Sequence, residues 1–201
     1  MAALGRFLEV LETDVVAAAP LLLGAELTRG DLRARIVEVE SYRGSDDPAA
    51  HSFGKTKMKN MALFGPPGRA YIYFSYGFHW MLNVSALPMG QGAGILIRAA
   101  EPLAGFETFR ERRPKAKKDE DLLSGPGKLA AAFGIDMRDN DTYLLEESPG
   151  EGALSIRLSE ETIRVVTGPR VGIAIGKAHE LPWRFMDADR MRWVSKPWPR
   201  A

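Results

Sequence analysis

One stretch of this chain, residues 32–42 (LRARIVEVESY), constrains its fold and its chemistry most. Its β-branched and apolar residues indicate a strand, and side chains in a strand alternate between the two faces of the sheet. Strict alternation predicts that one face carries Leu32, Ala34, Ile36, Glu38, Glu40 and Tyr42, and the other Arg33, Arg35, Val37, Val39 and Ser41. A face that begins apolar and ends in Glu40 and Tyr42 puts an acid at the rim of a core. There, desolvation can tune its pKa for proton transfer.

The rest of the chain alternates β-branched or aromatic runs with Gly and Pro signals, which predicts an α+β fold. We expect a single compact domain over residues 1–201, with a curved antiparallel β-sheet and flanking helices. The predicted strands are 25–28, 32–42, 70–76, 80–87, 94–100, 143–146, 153–158, 163–166 and 169–176. Three helices are predicted. The first covers 15–23, with Asp14 as its N-cap and an interruption at Pro20; the second covers 102–113; the third runs from the N-cap Ser124 through Phe133.

Composition narrows the function classes. The chain has no cysteine, which excludes disulfides, a thiolate nucleophile and a Cys-based metal site. Its longest apolar run, 15–23, is too short to span a membrane, so we expect no membrane partner and an intracellular location. The net charge of +1 does not by itself indicate a nucleic-acid binder, although basic residues cluster in 110–118 and 164–201. From charge alone, solvated helices and loops are the simpler interpretation.

Six motifs occur in an order that resembles the alkyladenine (3-methyladenine) DNA glycosylase family, and the resemblance covers roughly residues 7–197. They are Arg35-Ile-Val-Glu-Val-Glu40-Ser-Tyr42 with Ala49-Ala-His51, Phe64-Gly-Pro-Pro-Gly-Arg-Ala-Tyr71-Ile-Tyr73-Phe-Ser-Tyr76-Gly, Leu82-Asn83-Val, Leu96-Ile-Arg98-Ala-Ala-Glu, Ser124-Gly-Pro-Gly-Lys128-Leu and Arg170-Val-Gly-Ile. One such motif is weak evidence, whereas several in the right order are strong. The resemblance implies the compact glycosylase fold without helix-hairpin-helix motifs. It also implies a monofunctional enzyme that excises alkylated or deaminated purines, without metal or other cofactor.

The resemblance also implies residue roles. Glu40 is the general base that activates water, Glu38 is its supporting neighbour and natural rival, and Arg98 helps hold the nucleophile. The flipped base is held by Tyr42, His51 and Tyr73, and Asn83 at the pocket floor excludes normal guanine. Tyr76 matches the residue that fills the space left in the duplex.

Further residues are candidates for phosphate contacts, namely Lys55, Lys57, Lys59, Ser124 and Lys128. The expected partner is double-stranded DNA containing damaged purines, bound by a monomer. A plain helix start explains Ser124 and Lys128 equally well.

Spacing alone favours blander roles, such as a salt-bridged strand glutamate for Glu40 and core aromatics for Tyr42 and Tyr73. Two other functions stay open. One is a carbohydrate hydrolase using Glu38 or Glu40 with Asp47, since such enzymes need paired carboxylates. The other is a non-catalytic damaged-DNA binding module of the same fold. Asp46 and Asp47 with the two glutamates could in principle hold Mg²⁺, but no spacing demands it.

Overall fold

An antiparallel sheet forms the centre of the molecule, a computed structural model that describes residues 2–55, 61–75, 77, 79–146 and 148–196. Within these residues the strands are β1 (Glu26–Arg29), β2 (Leu32–Tyr42), β3 (Ala70–Ser75), β4 (His79–Ala86), β5 (Ala93–Ala104), β6 (Ser155–Arg157), β7 (Val165–Gly168) and β8 (Arg184–Asp187). The strand order is β3-β4-β5-β2-β1-β6, and β8 joins β2 and carries β7 on its other side.

Strand β2 is the centre of this sheet. One edge pairs with β5 along most of its length, and the other edge pairs first with β1 and then, over Glu38–Glu40, with β8. The curved sheet and its helices confirm the predicted α+β class.

The helices are α1 (Ala2–Leu11), α2 (Val15–Ala18), α3 (Phe106–Arg112) and α4 (Pro126–Phe133). They cover the apolar face of the sheet, and the rings of Phe109 in α3 and Phe133 in α4 pack with centroids 5.1 Å apart. The main core includes Ile36 and Val39 of β2 together with Phe185 of β8. In the described part of the chain, every helix is too short or too polar to cross a lipid bilayer.

The expectation of strict alternation along β2 is wrong after Ile36. The pairing with β5 shifts register on both sides of Glu38, which marks a β-bulge. Ile36 and Val39 both reach the main core, whereas Val37 packs in a separate cluster on the outer face with Met186, the cross-strand partner of Glu38. A one-residue shift moves all following side chains to the opposite face. Glu38 and Glu40 therefore lie opposite the main core rather than on its rim.

Other boundaries also differ from the sequence predictions. Asp14 does cap α2, accepting hydrogen bonds from the N–H groups of Val16 and Ala17, and the helix tightens into a 3₁₀ turn at Ala19–Leu22, where Pro20 lies. The predicted helix over 102–113 is wrong at its start, because β5 continues to Ala104 and keeps the ladder with β2.

The predicted N-cap Ser124 is also wrong. Gly125 is the N-cap of α4, and Ser124 forms a bridge with Ala99 of β5. The predicted strand over 169–176 is a loop, and the sequence analysis missed helix α1 and strand β8.

Candidate active site

A cavity of about 310 Å³ opens beside the C-terminal end of β2. Its lining combines rings with a few polar groups, which is typical of sites for small organic ligands. Six lining residues matter most here: Tyr42, His51, Tyr71, Tyr73, Asn83 and Arg98. The structure thus brings together Tyr42, His51, Tyr73, Asn83 and Arg98, which the sequence analysis singled out, and adds Tyr71, which it did not.

Glu40 lies directly beneath this cavity and is fully buried. Its Oε2 accepts hydrogen bonds from the Tyr42 hydroxyl at 2.9 Å and from the Arg98 guanidinium at 3.4 Å. Its Oε1 accepts one from the backbone N–H of Val171 at 2.7 Å. Tyr42, Arg98 and Val171 all line the cavity, whereas Glu40 does not, so the carboxylate adjoins the cavity through its three partners.

The pKa of Glu40 is raised by burial, and Arg98, Val171 and Tyr42 oppose that rise. A carboxylate oxygen can accept two hydrogen bonds, whereas the described residues give Oε1 one. Glu40 therefore keeps acceptor capacity together with a raised pKa, and a perturbed pKa of this kind marks it as a candidate for proton transfer.

Glu38 has a different environment although it is equally buried. Its Oε1 accepts hydrogen bonds from Arg98 at 3.1 Å, from Arg184 at 2.6 Å and from the Ser195 hydroxyl at 2.9 Å. Its Oε2 accepts one from the Ser195 backbone N–H at 2.7 Å. Neither glutamate lines the cavity itself, but only one donor to Glu38, Arg98, is a lining residue, whereas Arg184 and Ser195 are not.

Arg98 bridges the two carboxylates. Its Nε donates to Glu38, one terminal nitrogen donates to Glu40, and the other donates to the Ser195 hydroxyl at 3.2 Å. Burial lowers the pKa of Arg98, but Glu40 and Glu38 outweigh that effect and raise it, so the guanidinium stays charged. Like Val37 in β2, Arg98 is skipped in the β2–β5 pairing, which places the bulge at the site itself.

A buried ion pair supports the cavity wall from behind. Arg170 forms two hydrogen bonds with Asp47, at 2.6 and 3.0 Å, and donates to the backbone carbonyl of Ser41 at 2.9 Å. Its guanidinium lies over the ring of Tyr42 at 4.8 Å and over the ring of Trp183 at 5.1 Å. This pair joins the loop after β2 to the segment that carries Val171.

The second group of rings surrounds His51. Its ring is edge-on to Tyr73, with centroids 4.3 Å apart, and its Nδ1 is 3.1 Å from the Tyr71 hydroxyl. Burial, with a smaller effect from Lys55, lowers the pKa of His51, so the imidazole is neutral at neutral pH. Asn83 donates its amide N–H to the Tyr71 carbonyl at 3.1 Å, which fixes its side chain at the wall of the cavity.

A second cavity, about 490 Å³, lies on the other side of Arg98; we call it the basic cleft. Its charged and hydroxyl lining residues are Arg98, Lys118, Glu120, Asp121, Ser124, Lys128, Arg192, Ser195 and Lys196. Lys128 donates to the Ser124 hydroxyl at 3.2 Å, which brings these two predicted phosphate contacts together. Lys55 lies elsewhere, beside the lining residue His51, to whose backbone carbonyl it donates at 2.9 Å. Tyr76, Lys57 and Lys59 lie outside the described residues.

The alternative of a carboxylate pair with Asp47 finds little support, because both Asp47 oxygens are bonded to Arg170. The described residues contain no group of three or more His, Cys, Asp or Glu placed to hold a metal ion.

Sequence reasoning missed Ser195, Arg184 and the role of Asp47. No local pattern marks their long-range contacts, which join Ser195 to Arg184 and Glu38 and join Asp47 to Arg170, over 11 to 157 residues of sequence. The one sequence signal that could have pointed to these residues was the Arg170-Val-Gly-Ile motif, because Arg170 is the partner of Asp47.

A fully buried carboxylate next to an aromatic cavity, on a curved antiparallel sheet, has the features of a binding site for a small organic ligand. Residues 9–191 match the family model for methylpurine-DNA glycosylase, and the chain belongs to this family. It is therefore a DNA glycosylase, a DNA-repair enzyme that hydrolyses N-glycosyl bonds.

Curated bacterial relatives agree with this membership. The chain is 46% identical over 182 residues to a protein of Rhodopseudomonas palustris, covering 90% of this chain and 84% of that protein. It is 42% identical over 192 residues to one of Burkholderia lata, covering 95% and 89%. It is 45% identical over 171 residues to one of Nitrosospira multiformis, covering 85% and 83%. All three are provisionally named 3-methyladenine DNA glycosylase.

Proposed function

We propose that this enzyme excises alkylated and deaminated purines from duplex DNA, the class of 3-methyladenine, 7-methylguanine, hypoxanthine and ethenoadenine. The target nucleotide leaves the base stack and its base enters the cavity, because the glycosidic bond is inaccessible inside a duplex. The observation that carries this proposal is the position of Glu40, buried beneath an aromatic cavity and tied to Arg98.

The cavity favours a cationic purine for two reasons. Aromatic faces attract cations, and stacking on aromatic rings is worth roughly 1–3 kcal/mol per base. The lowered pKa of His51 keeps its imidazole neutral, so it does not repel a positively charged base. The position of Asn83 at the cavity wall supports its proposed role, which is to exclude the exocyclic amine of normal guanine.

In the chemical step, Glu40 takes a proton from water while the water oxygen bonds to C1′ of the sugar. The electron pair of the N-glycosidic bond leaves with the base. The Glu40 carboxylate also stabilises positive charge that develops on the sugar. The cavity has no lysine among its described lining residues, which supports hydrolysis by water rather than a lysine Schiff base.

DNA binding involves surfaces beyond the cavity. Lys55 beside His51, with Ser124 and Lys128 in the basic cleft, supplies groups suited to phosphates. We propose the same role for Lys57 and Lys59, and we propose that Tyr76 fills the vacated space in the duplex. Action as a monomer and an intracellular location are part of this proposal.

Base release from duplexes that each carry one defined lesion tests the proposal. In Glu40→Gln we expect release to fall by about 10²–10⁴-fold, the usual contribution of a general base, with binding to damaged duplex retained. Glu26→Gln is the matched control, because Glu26 is also a strand glutamate with arginine partners, but in β1. It should release base at the wild-type rate.

Persistent release by Glu40→Gln, with loss in Glu38→Gln, would transfer the role of base to Glu38. Tight binding of damaged duplex by the wild-type protein without any release would leave only a damaged-DNA binding module.

A further inference from the structure

Ser195 belongs to the segment after β8, far from the catalytic motifs in sequence, yet it is buried within their network. Its hydroxyl donates to Glu38 and accepts from Arg98, and its backbone N–H donates to Glu38. Its backbone carbonyl accepts from Arg184 at 2.7 Å. Every polar atom of this residue thus contacts the charged groups behind Glu40.

Arg98 is shared between two carboxylates on unequal terms. It lies 3.1 Å from Glu38 and 3.4 Å from Glu40. Glu38 and Glu40 compete for Arg98. The carboxylate that Arg98 approaches less closely becomes harder to ionise, because a nearby cation favours the charged form. Arg184 and Ser195 supply Glu38 with donors of its own, which reduces its demand on Arg98.

We propose that Ser195 is a positioning residue that orients Arg98 and satisfies Glu38, so that Arg98 remains available to Glu40. This inference rests on the proposed role of Glu40 as base. Arg184 acts in the same direction, since its Nε donates to Glu38 at 2.6 Å.

The groups that face Glu40 define the expected pH effect. They are Tyr42 and Glu38 in β2, Arg98 in β5, Arg184 opposite Glu40 in β8, and the N–H of Val171. Without the Ser195 hydroxyl, Arg98 loses one partner and Glu38 loses one donor. Arg98 then shifts toward Glu38, Glu40 is ionised less readily, and a general base needs ionisation to act.

The test is single-turnover release of 7-methylguanine from a duplex, measured against pH. In Ser195→Ala we expect the midpoint of the acid limb to rise by about 0.5–1 pH unit, and rates below it to fall by about three- to tenfold. Ser195→Thr restores a hydroxyl and should return the midpoint toward the wild-type value. Ser195→Cys, a weak donor of similar size, should give an intermediate midpoint and covers the case in which Ser195→Ala folds poorly.

Ser155→Ala is the matched control, because Ser155 is also a buried serine, and it is bonded to Thr28 away from the site. Loss of stability alone lowers the amount of active enzyme and leaves the midpoint unchanged. If the wild-type protein shows an acid limb and both Ser195→Ala and Ser195→Cys have a midpoint equal to or below the wild-type midpoint, the role of Ser195 alone is overturned. A wild-type protein that releases base with no acid limb overturns the role of Glu40 and, with it, this inference.

Discussion

Two glutamates two residues apart have the same burial but different hydrogen-bond partners. Glu38 accepts four hydrogen bonds from the described residues, two of them from arginines and two from Ser195. Glu40 accepts three, from Arg98, Tyr42 and the Val171 N–H, and all three donors line the cavity. The residue type does not separate a base from a structural anchor here; the neighbouring donors do.

At this scale we predict the pH dependence of excision. The pKa of Glu40 is raised above its ordinary value of 4.5, chiefly by burial, so the rate should fall on the acid side with a midpoint above that value. A cationic lesion such as 3-methyladenine leaves without further protonation, whereas neutral hypoxanthine needs a proton and should show an added loss at high pH. Rates against pH for both lesions check this, and identical profiles would contradict it.

At the scale of elements, two loops form the site together with β2 and β5. The loop after β2 carries His51, and the segment after β7 carries Val171. The buried pair of Arg170 and Asp47 holds them together. Burial alone would raise the pKa of Asp47, but Arg170 and the backbone N–H of Ala49 outweigh it and lower the pKa.

We therefore predict that Asp47→Asn destabilises the protein by about 3–5 kcal/mol, because it leaves the buried Arg170 charge unpaired. Since the pKa of Asp47 is lowered in the folded state, its contribution is present above the unfolded-state pKa and is lost as the pH falls through the folded-state value. Denaturant unfolding at neutral pH measures the difference.

Asp46→Asn is the control in the same loop. Asp46 is exposed and pairs with Arg43, so its substitution should change the free energy of unfolding by less than about 1 kcal/mol. Equal effects of the two substitutions would count against the anchoring role of the buried pair.

At the scale of the whole molecule, charge distribution matters more than net charge. The chain carries a formal charge of +1, yet Lys118, Lys128, Arg192 and Lys196 gather in the basic cleft next to Arg98. A protein that neutralises phosphates releases counterions, which makes its affinity for DNA depend on salt. The cleft therefore gives a nearly neutral protein one surface suited to a phosphate backbone.

This predicts that Lys128→Gln lowers the magnitude of the slope of log affinity against log salt concentration by about 0.9, the value for one lost phosphate contact. Arg157→Gln removes a cation from β6 that does not line the basic cleft, and it should leave the slope unchanged. Binding titrations across a salt series measure both. A slope that responds equally to the two substitutions would place the DNA elsewhere.

The sequence determined the strands that build the site. β2 to β5 were predicted within a few residues, because alternation and turn signals are local properties of the chain. Through its resemblance to the glycosylase family, the sequence also singled out Tyr42, His51, Tyr73, Asn83 and Arg98, and all five line the cavity. One domain over residues 1–201 stays a prediction.

Only the tertiary structure decided which way the carboxylates face and what holds them. Side chains alternate along a strand until a β-bulge in the pairing with its neighbour interrupts the pattern. Here the bulge in the β2–β5 pairing at Glu38 moves Glu38 and Glu40 to the face opposite the main core. Their supporting groups come from distant segments: Ser195 is 157 residues from Glu38, and Arg170 is 123 from Asp47. Contacts of that range leave no periodic trace in the sequence, because they arise only when the sheet brings its strands together.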